Sequence, residues 1–303
     1  MKPSTRLANA PCSWGVLEFG LPGAVAPWEQ VLDEIAATGY SGTELGDWGF
    51  YPTDPVRLRA ELSSRRLEMV GGFVPVSLAN PEALAPGIAT AVRNAHLLAE
   101  TGGDRAVLVL ADNNGTVDTR TRNAGRVTPE MSMDDSHWEI FAHNASEIAR
   151  AVLAETGLRT AFHHHCGGFV ETPAEIESLM SLTDPDLLGL CLDTGHCLYG
   201  GGDPLALLRR YGPRVWHVHL KDMDPVIATQ ARTEGWDYFQ AVAHGVFCEL
   251  GRGAVPFASL LDSLENLRYD GWMVVEQDVL PTMGSPRDSA RRNRDYVYDL
   301  GLT

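Results

Sequence analysis

The feature that most constrains the fold is a regular alternation of short apolar runs with helical segments. Each of eight runs has the residue types that favour a β-strand, and a stretch of helical periodicity follows it. The runs span residues 7–14, 42–46, 67–74, 105–111, 158–165, 187–193, 215–221 and 271–277. Short apolar strands are typical of a parallel sheet buried on both faces. The pattern therefore predicts a single-domain α/β fold over residues 1–303, a (β/α)8 TIM barrel, with an open α/β sheet as the alternative.

Helix start signals support this alternation. Asp54 followed by Pro55 predicts a helix start, because a proline in the first helical position loses no hydrogen bond. Thr172 with Glu175 predicts a capping box at another helix start, and residues 132–157 predict one long amphipathic helix.

Two connections, 112–129 and 222–253, are unusually long. Both follow strands, so they belong to the carboxyl-terminal rim of the barrel. Long loops on that rim are expected to shape the substrate pocket or to contact a neighbouring subunit, which leaves a homo-oligomer open.

Charge and cysteine content narrow the partners and the compartment. With 24 Lys and Arg against 40 Asp and Glu, the net charge is −16. This charge argues against nucleic acid or an anionic membrane surface as the main partner. Five cysteines without a C-x-x-C pair are typical of a reduced chain. No signal-peptide core is present and no apolar run approaches about 18 residues, so we expect a cytoplasmic protein.

Polar side chains collect at the carboxyl ends of the predicted strands, which is where TIM-barrel enzymes carry their catalytic groups. These residues are Glu44, His163, His165, Asp193, His196, His217, His219, Lys221 and Glu276. Since strand side chains alternate between faces, His163 and His165 are expected to share the rim side, with His164 directed towards the helices.

Imidazoles and carboxylates from four successive strands suit a divalent transition metal. Without a cation, gathering these groups in a partly buried mouth costs desolvation and repulsion. Singly, Glu44 could cap a helix and each histidine could be a hydrogen-bonded core residue, but the group as a whole favours a metal site. No phosphate-binding loop, dinucleotide fingerprint or G-x-S-x-G elbow competes with it. Cys166 and Cys191 are interpreted as small packing residues.

Three segments, "LDTGH", "HVHLKD" and "GWMVVEQD", carry a resemblance to a known family. They resemble the xylose-isomerase-like TIM-barrel superfamily of sugar isomerases, epimerases and endonuclease-IV-type enzymes. Within it, "NAPCSWGVLEF" and "HHHCGGFVETPAEIESLM" are similar to the inosose dehydratase branch. The resemblance covers nearly the whole chain and implies a metal-dependent enzyme with a small polyol or keto-sugar substrate.

The superfamily usually holds its metal with Glu, Asp, His and Glu from strands five to eight, and the resemblance places Asp193, His219 and Glu276 in the last three positions. His163 stands where many relatives have the first glutamate, so we infer that it replaces that ligand. Two carboxylates then match a divalent ion, with Mn or Co expected and Zn, Fe or Mg as alternatives. Epimerases of this superfamily use two glutamates as paired bases, and Phe169 stands where the second is expected.

The acid–base candidates are Lys221, His196, His165 and Glu44. A nearby cation would lower the pKa of Lys221 towards neutrality. The alternatives are a surface Lys221 paired with Asp222, and a His196 that supports Asp193. The candidate substrate contacts are Trp14, Trp48 and His217, with buried packing as the alternative for both tryptophans.

Several functions remain open at this point. The resemblance favours a dehydratase that removes water from 2-keto-myo-inositol by abstraction of an α-proton and β-elimination. A keto-sugar epimerase or isomerase is the main alternative, and a lyase acting on 3-keto-glycosides would use the same elimination chemistry. An idle sugar-binding or scaffold barrel is disfavoured by the intact ligand set. DNA repair is disfavoured by the acidic charge.

Overall fold

Eight parallel strands close into a barrel in the computed structural model, which describes residues 6–16, 26–278 and 284–302. The barrel strands are β1 (Leu7–Asn9), β2 (Gly42–Glu44), β3 (Glu68–Val76), β4 (Gly102–Asp112), β5 (Arg159–His163), β6 (Leu188–Asp193), β7 (Val215–Leu220) and β10 (Met273–Val275). Their spatial order is β1, β10, β7, β6, β5, β4, β3, β2, and β2 pairs with β1 to close the ring. The TIM barrel expected from the sequence is confirmed.

Helices surround the barrel, and the apolar core lies mainly between them and the strands. They are α1 (Trp28–Ala37), α2 (Pro55–Arg65), α3 (Leu84–Thr101), α4 (Asp118–Arg122), α5 (Asp135–Thr156), α6 (Pro173–Leu182), α7 (Thr194–Tyr199), α8 (Pro204–Tyr211), α9 (Pro225–Glu234), α10 (Tyr238–Ala243), α11 (Phe257–Asn266) and α12 (Pro286–Asp299). Short 3-10 helices lie at Pro11–Trp14, Pro81–Ala83, Pro129–Met131 and Gly212–Arg214. Among the described helices, none combines the length and apolar character needed to cross a bilayer.

The start signals act as the sequence predicts. The Asp54 side chain accepts a hydrogen bond from the backbone N–H of Arg57, at 2.8 Å, ahead of Pro55 in α2. Thr172 and Glu175 form the complete capping box of α6. Each cap satisfies N–H groups that a helix leaves unpaired in its first turn.

The first strand is shorter than predicted, and this changes the position of Trp14. The strand ends at Asn9, and Pro11 starts a 3-10 helix because a proline has no N–H to donate to the sheet ladder. Trp14 is therefore not at a strand end. Its indole is buried, and Nε1 donates to a carboxylate oxygen of Glu34 at 2.7 Å.

The long connection after β7 is a folded unit. Its ends form a two-stranded antiparallel pair, β8 (Asp222–Met223) with β9 (Phe247–Cys248), which brackets α9 and α10. The Asp222 carboxylate accepts hydrogen bonds from four backbone N–H groups, those of Met223, Gly251, Gly253 and Val255, at 2.9 to 3.0 Å. Asp222 therefore organises this loop and is not the ion-pair partner of Lys221.

Candidate active site

A cleft of about 610 Å³, including its open mouth, lies at the carboxyl ends of the barrel strands. Its lining includes six of the residues predicted from the sequence, namely Glu44, His163, His165, His219, Lys221 and Glu276. It also includes Asp47, Phe73, Tyr238 and Asp278, and part of the 3-10 helix after β1. Asp193, His196 and His217 are fully buried and directly contact this lining.

Four side chains from successive strands meet in the cleft floor. His163, Asp193, His219 and Glu276 each place one nitrogen or oxygen so that all four atoms lie within 4.8 Å of one another. Nδ1 of His219 is 3.3 Å from Oε2 of Glu276, and Nε2 of His163 is 3.5 Å from Oδ2 of Asp193.

Buried atoms without partners make this cluster a chemical fit for a cation. Among the described residues, Oδ2 of Asp193 and Nδ1 of His219 have no hydrogen-bond partner. Buried polar atoms in this condition are costly, and a divalent ion between them would remove the cost. The set of two imidazoles and two carboxylates is one that divalent transition metals accept.

The ends of β6 and β7 explain how local sequence builds this cluster. Asp193 and His219 are paired in the register of the two strands, so their side chains are neighbours. Asp193 is also the N-cap of α7, and its Oδ1 accepts from the backbone N–H of His196 at 2.7 Å. The cap leaves only Oδ2 of Asp193 directed at the cluster.

Both carboxylates of the cluster are held in the ionised form. Burial alone raises the pKa of Glu276, but His219 and Lys221 outweigh it and hold the pKa well below its usual range. Burial likewise raises the pKa of Asp193, and the charges of Lys221 and His163 more than reverse this and lower it. The cluster therefore presents two negative charges, which would balance the charge of a divalent ion.

A second group of three buried residues lies against the cluster. Oε1 of Glu44 is 2.7 Å from Nε2 of His217 and 3.1 Å from Nε2 of His219. Burial raises the pKa of Glu44, but His219 and His217 hold it at about 2. Glu44 is thus an ionised acceptor of two imidazole N–H groups, and His217 lies outside the described cleft lining.

Lys221 is buried in the site and is not a surface lysine. Its Nζ lies 3.2 Å from Oε2 of Glu276 and 3.4 Å from Oδ1 of Asp278. Burial lowers the pKa of Lys221, but the carboxylates of Asp278 and Glu276 outweigh this and raise it well above its usual value. The neighbouring carboxylates therefore raise the pKa of Lys221, whereas a bound cation was expected to lower it.

His165 and His196 have their tautomers set by the backbone of Cys166. Nδ1 of His165 is 2.6 Å from the carbonyl oxygen of Cys166 and so carries the proton, which leaves the lone pair on Nε2. Nδ1 of His196 accepts from the N–H of Cys166 at 3.2 Å, so its proton is on Nε2, 3.5 Å from Nζ of Lys221. Burial lowers the pKa of both imidazoles. Asp193 is contacted by the backbone of His196 and not by its ring.

The sequence prediction did not assign several residues of the site, among them Tyr238, Asp278 and Cys191. Tyr238, from the long connection after β7, places its hydroxyl 3.3 Å from Nε2 of His165. Asp278 follows Glu276 by two positions, a spacing that could have indicated a second rim carboxylate. Cys191 precedes Asp193 by the same spacing, and its thiol lies within 4.8 Å of the nearest His163 and His219 nitrogens. Burial raises the pKa of that thiol to about 11.

The two tryptophans and Phe169 lie outside the described cleft lining. Trp14 is packed as described above, and the ring of Trp48 is 37% exposed, with the guanidinium of Arg93 at 4.2 Å. Substrate contact by Trp14 or Trp48 stays a prediction, and neither side chain is part of the cleft lining among the described residues. Phe169 has no ionisable group, so its side chain supplies no second base, and its backbone N–H donates to Asp112 at 3.0 Å.

A closed eight-stranded barrel with histidines and carboxylates gathered at its carboxyl-terminal rim defines the class as a TIM barrel with a candidate metal site. More specifically, the chain belongs to the xylose isomerase-like TIM barrel family, whose sequence profile matches residues 32–300.

Curated relatives cover nearly the whole chain. It is similar to the inosose dehydratase of Geobacillus kaustophilus, with 34% identity over 97% of this chain and 94% of the relative. It is also similar to inosose dehydratase 2 of Bacillus cereus, with 30% identity over 97% of this chain and 96% of the relative.

Solved structures share the fold at low identity. An IOLI protein with a bound zinc atom has a TM-score of 0.70 and 14% identity, with 98% of each chain covered. The 3-keto-D-glucoside 4-epimerase YcjR from E. coli has a TM-score of 0.69 and 15% identity, over 97% of this chain and 99% of that one. At this identity the likeness shows the fold alone.

Proposed function

We propose that this chain is a metal-dependent hydro-lyase that removes water from a keto-inositol, with 2-keto-myo-inositol as the substrate. The observation that carries the proposal is the cluster of His163, Asp193, His219 and Glu276 next to Lys221 in the cleft floor. Relatives named inosose dehydratase, at 34% and 30% identity along almost the full chain, support the same reaction. The proposal implies a small polyol as partner and a cytoplasmic enzyme of inositol catabolism.

The ion that we propose for the cluster is divalent, with Mn or Co expected and Zn, Fe or Mg as alternatives. His163, Asp193, His219 and Glu276 would hold it, and when bound it supplies Lewis-acid polarisation of the substrate ketone. The IOLI protein, a structural neighbour, was solved with zinc, which supports a metal on this kind of barrel without indicating the native ion here.

We assign the base to His165 from its tautomer. Because Nδ1–H is held by the Cys166 carbonyl, the lone pair is on Nε2, which accepts a hydrogen bond from the Tyr238 hydroxyl at 3.3 Å until substrate displaces that contact. This nitrogen can accept the proton α to the ketone. General bases of this kind contribute about 10²- to 10⁴-fold to rate.

We assign the general acid to Lys221. Its ammonium is held between Glu276 and Asp278, which keeps it protonated and directed at the cleft floor. It can donate a proton to the β-hydroxyl, which then leaves as water. The His196 ring contacts both groups, with its centroid 3.8 Å from that of His165 and its Nε2 3.5 Å from Nζ of Lys221.

The test is incubation of the metal-stripped and Mn- or Co-reloaded protein with 2-keto-myo-inositol, followed by near-ultraviolet absorbance and mass spectrometry. We expect the substrate to lose one water and gain a new absorbance with the reloaded protein, and to stay unchanged with the metal-stripped protein. A product of unchanged mass would instead indicate an epimerase. Release of the aglycone alcohol from a 3-keto-glycoside, with no water lost from the keto-inositol, would indicate the lyase. No reaction with any of these, together with no gain in melting temperature on adding Mn, would indicate an idle barrel.

A further inference from the structure

Glu44 makes contacts that an acid–base residue does not need. Its Oε1 accepts from two imidazoles at once, at 2.7 Å from Nε2 of His217 and 3.1 Å from Nε2 of His219. All three side chains are buried, with at most 3% of each residue exposed. One carboxylate oxygen is therefore committed to the two histidines of β7.

This contact determines which nitrogen His219 offers to the ligand cluster. With Nε2–H donated to Glu44, Nδ1 is the nitrogen at which a metal ion can take the place of a proton. Nδ1 is the atom that lies 3.3 Å from Glu276 and 3.8 Å from Asp193, with no hydrogen-bond partner among the described residues. A carboxylate on the far nitrogen of a ligating histidine is known to fix its orientation and raise its basicity.

His217 holds the carboxylate in place. It makes the shorter of the two contacts with Oε1 and comes from the same strand, two residues before His219. Both imidazoles face the same side of β7, so both can donate to the same oxygen, Oε1, of Glu44. His217 therefore acts on His219 through Glu44.

A glycine on β3 makes room for this arrangement. A Cβ at Gly71 would lie 3.0 Å from Oε1 of Glu44 and 3.5 Å from Nε2 of His217. A Cβ at the next residue, Gly72, would instead meet Leu98 of helix α3 at 3.2 Å, on the other face of the strand. The two glycines are thus crowded to a similar degree but by different parts of the molecule.

We propose that Glu44 is a positioning residue that, seated by His217 and Gly71, holds His219 with Nδ1 towards the cluster and thereby sets the affinity for the metal. The proposal rests on the metal centre assigned under the proposed function. It replaces direct proton transfer as the main role of Glu44.

The experiment measures the affinity of the metal-stripped protein for Co²⁺, by visible absorbance in competition with a chelator. Glu44→Gln keeps the side-chain shape but loses the charge, and about 10- to 100-fold weaker binding with an altered Co²⁺ spectrum is expected. Glu175→Gln is the matched control, because Glu175 is also buried and charge-paired, with Arg120 at 2.8 Å, and is not a member of the cluster. It is expected to bind Co²⁺ as the unmodified protein does.

Gly71→Ala and Gly72→Ala separate positioning from general strain. Both overpack β3, but only Gly71→Ala pushes on Glu44, so it alone is expected to weaken Co²⁺ binding, by about tenfold. If the unmodified protein binds Co²⁺ and Glu44→Gln binds it equally well with the same spectrum, the positioning role is overturned. If the unmodified protein does not bind Co²⁺ at all, the metal centre of the proposed function fails and the positioning role fails with it.

Discussion

Nζ of Lys221 lies 3.2 Å from Oε2 of Glu276, the same oxygen that is 3.3 Å from Nδ1 of His219. The proposed general acid and a proposed metal ligand thus share one carboxylate oxygen. Proton donation and metal binding are coupled electrostatically at this point, because the ammonium and a metal ion compete for the same negative charge.

Lys221→Met is expected to affect proton donation and metal binding differently. Turnover of 2-keto-myo-inositol should fall by about 10²- to 10⁴-fold, because the general acid is lost. Metal affinity should stay equal or rise, because a competing cation next to Glu276 is removed. Steady-state kinetics and a Co²⁺ titration measure the two effects. Weakened metal binding would contradict the assignment of Lys221 as the acid. It would indicate instead that Lys221 holds Glu276 in position for the metal.

Asp193→Asn and Glu276→Gln are each expected to lower turnover by at least about a hundredfold and to abolish tight metal binding. Each removes one of the two negative charges of the cluster. Asp278→Asn is the control, since this buried carboxylate contacts Lys221 but is not in the cluster. It should lower turnover while the metal remains bound, as measured by elemental analysis after dialysis. Full activity in Asp193→Asn or Glu276→Gln would remove the metal assignment.

Tyr238→Phe tests the residue that the long connection brings to the site. Loss of the hydroxyl, 3.3 Å from Nε2 of His165, is expected to lower kcat by about tenfold with little change in stability, because the ring packing is retained. Tyr199→Phe is the matched control, since its buried hydroxyl has no hydrogen-bond partner within the described chain. Equal kcat values for the two variants would show that the Tyr238 hydroxyl has no part in the reaction.

Glu171 is expected to make stability depend on pH. Burial raises the pKa of this carboxyl to about 7 from its usual 4.5, although it accepts hydrogen bonds from the N–H groups of Gly167 and Gly125. A raised pKa in the folded state means that its stabilising effect is complete below about pH 4.5 and is lost as the pH rises through 7. The loss amounts to about 3 kcal/mol at most.

The melting temperature of the unmodified protein should therefore fall relative to that of Glu171→Gln between pH 5 and pH 8, by roughly 5 °C. Calorimetric scans of both proteins across that range give the comparison. Parallel curves for the two proteins would show that Glu171 titrates normally.

The barrel and the side chains that meet at its rim could be anticipated because both depend on short-range patterns. Strand and helix periodicities are local, and in a TIM barrel every strand end reaches the same rim. Asp193 and His219 were therefore placed on one rim from their strand-end positions alone. The caps at Asp54 and Thr172 are likewise determined by residues within one helical turn.

The partners of each side chain were decided only by the tertiary structure, because they join residues far apart in the chain. Glu44 and His217 are 173 positions apart, and no local pattern could indicate that they share a hydrogen bond. Tyr238 reaches His165 only because a long connection folds back over the rim. Trp14 lies outside the described cleft lining because the first strand ends before Pro11, which starts a 3-10 helix. The sequence by itself determined which groups reach the rim, and packing decided which of them contact one another.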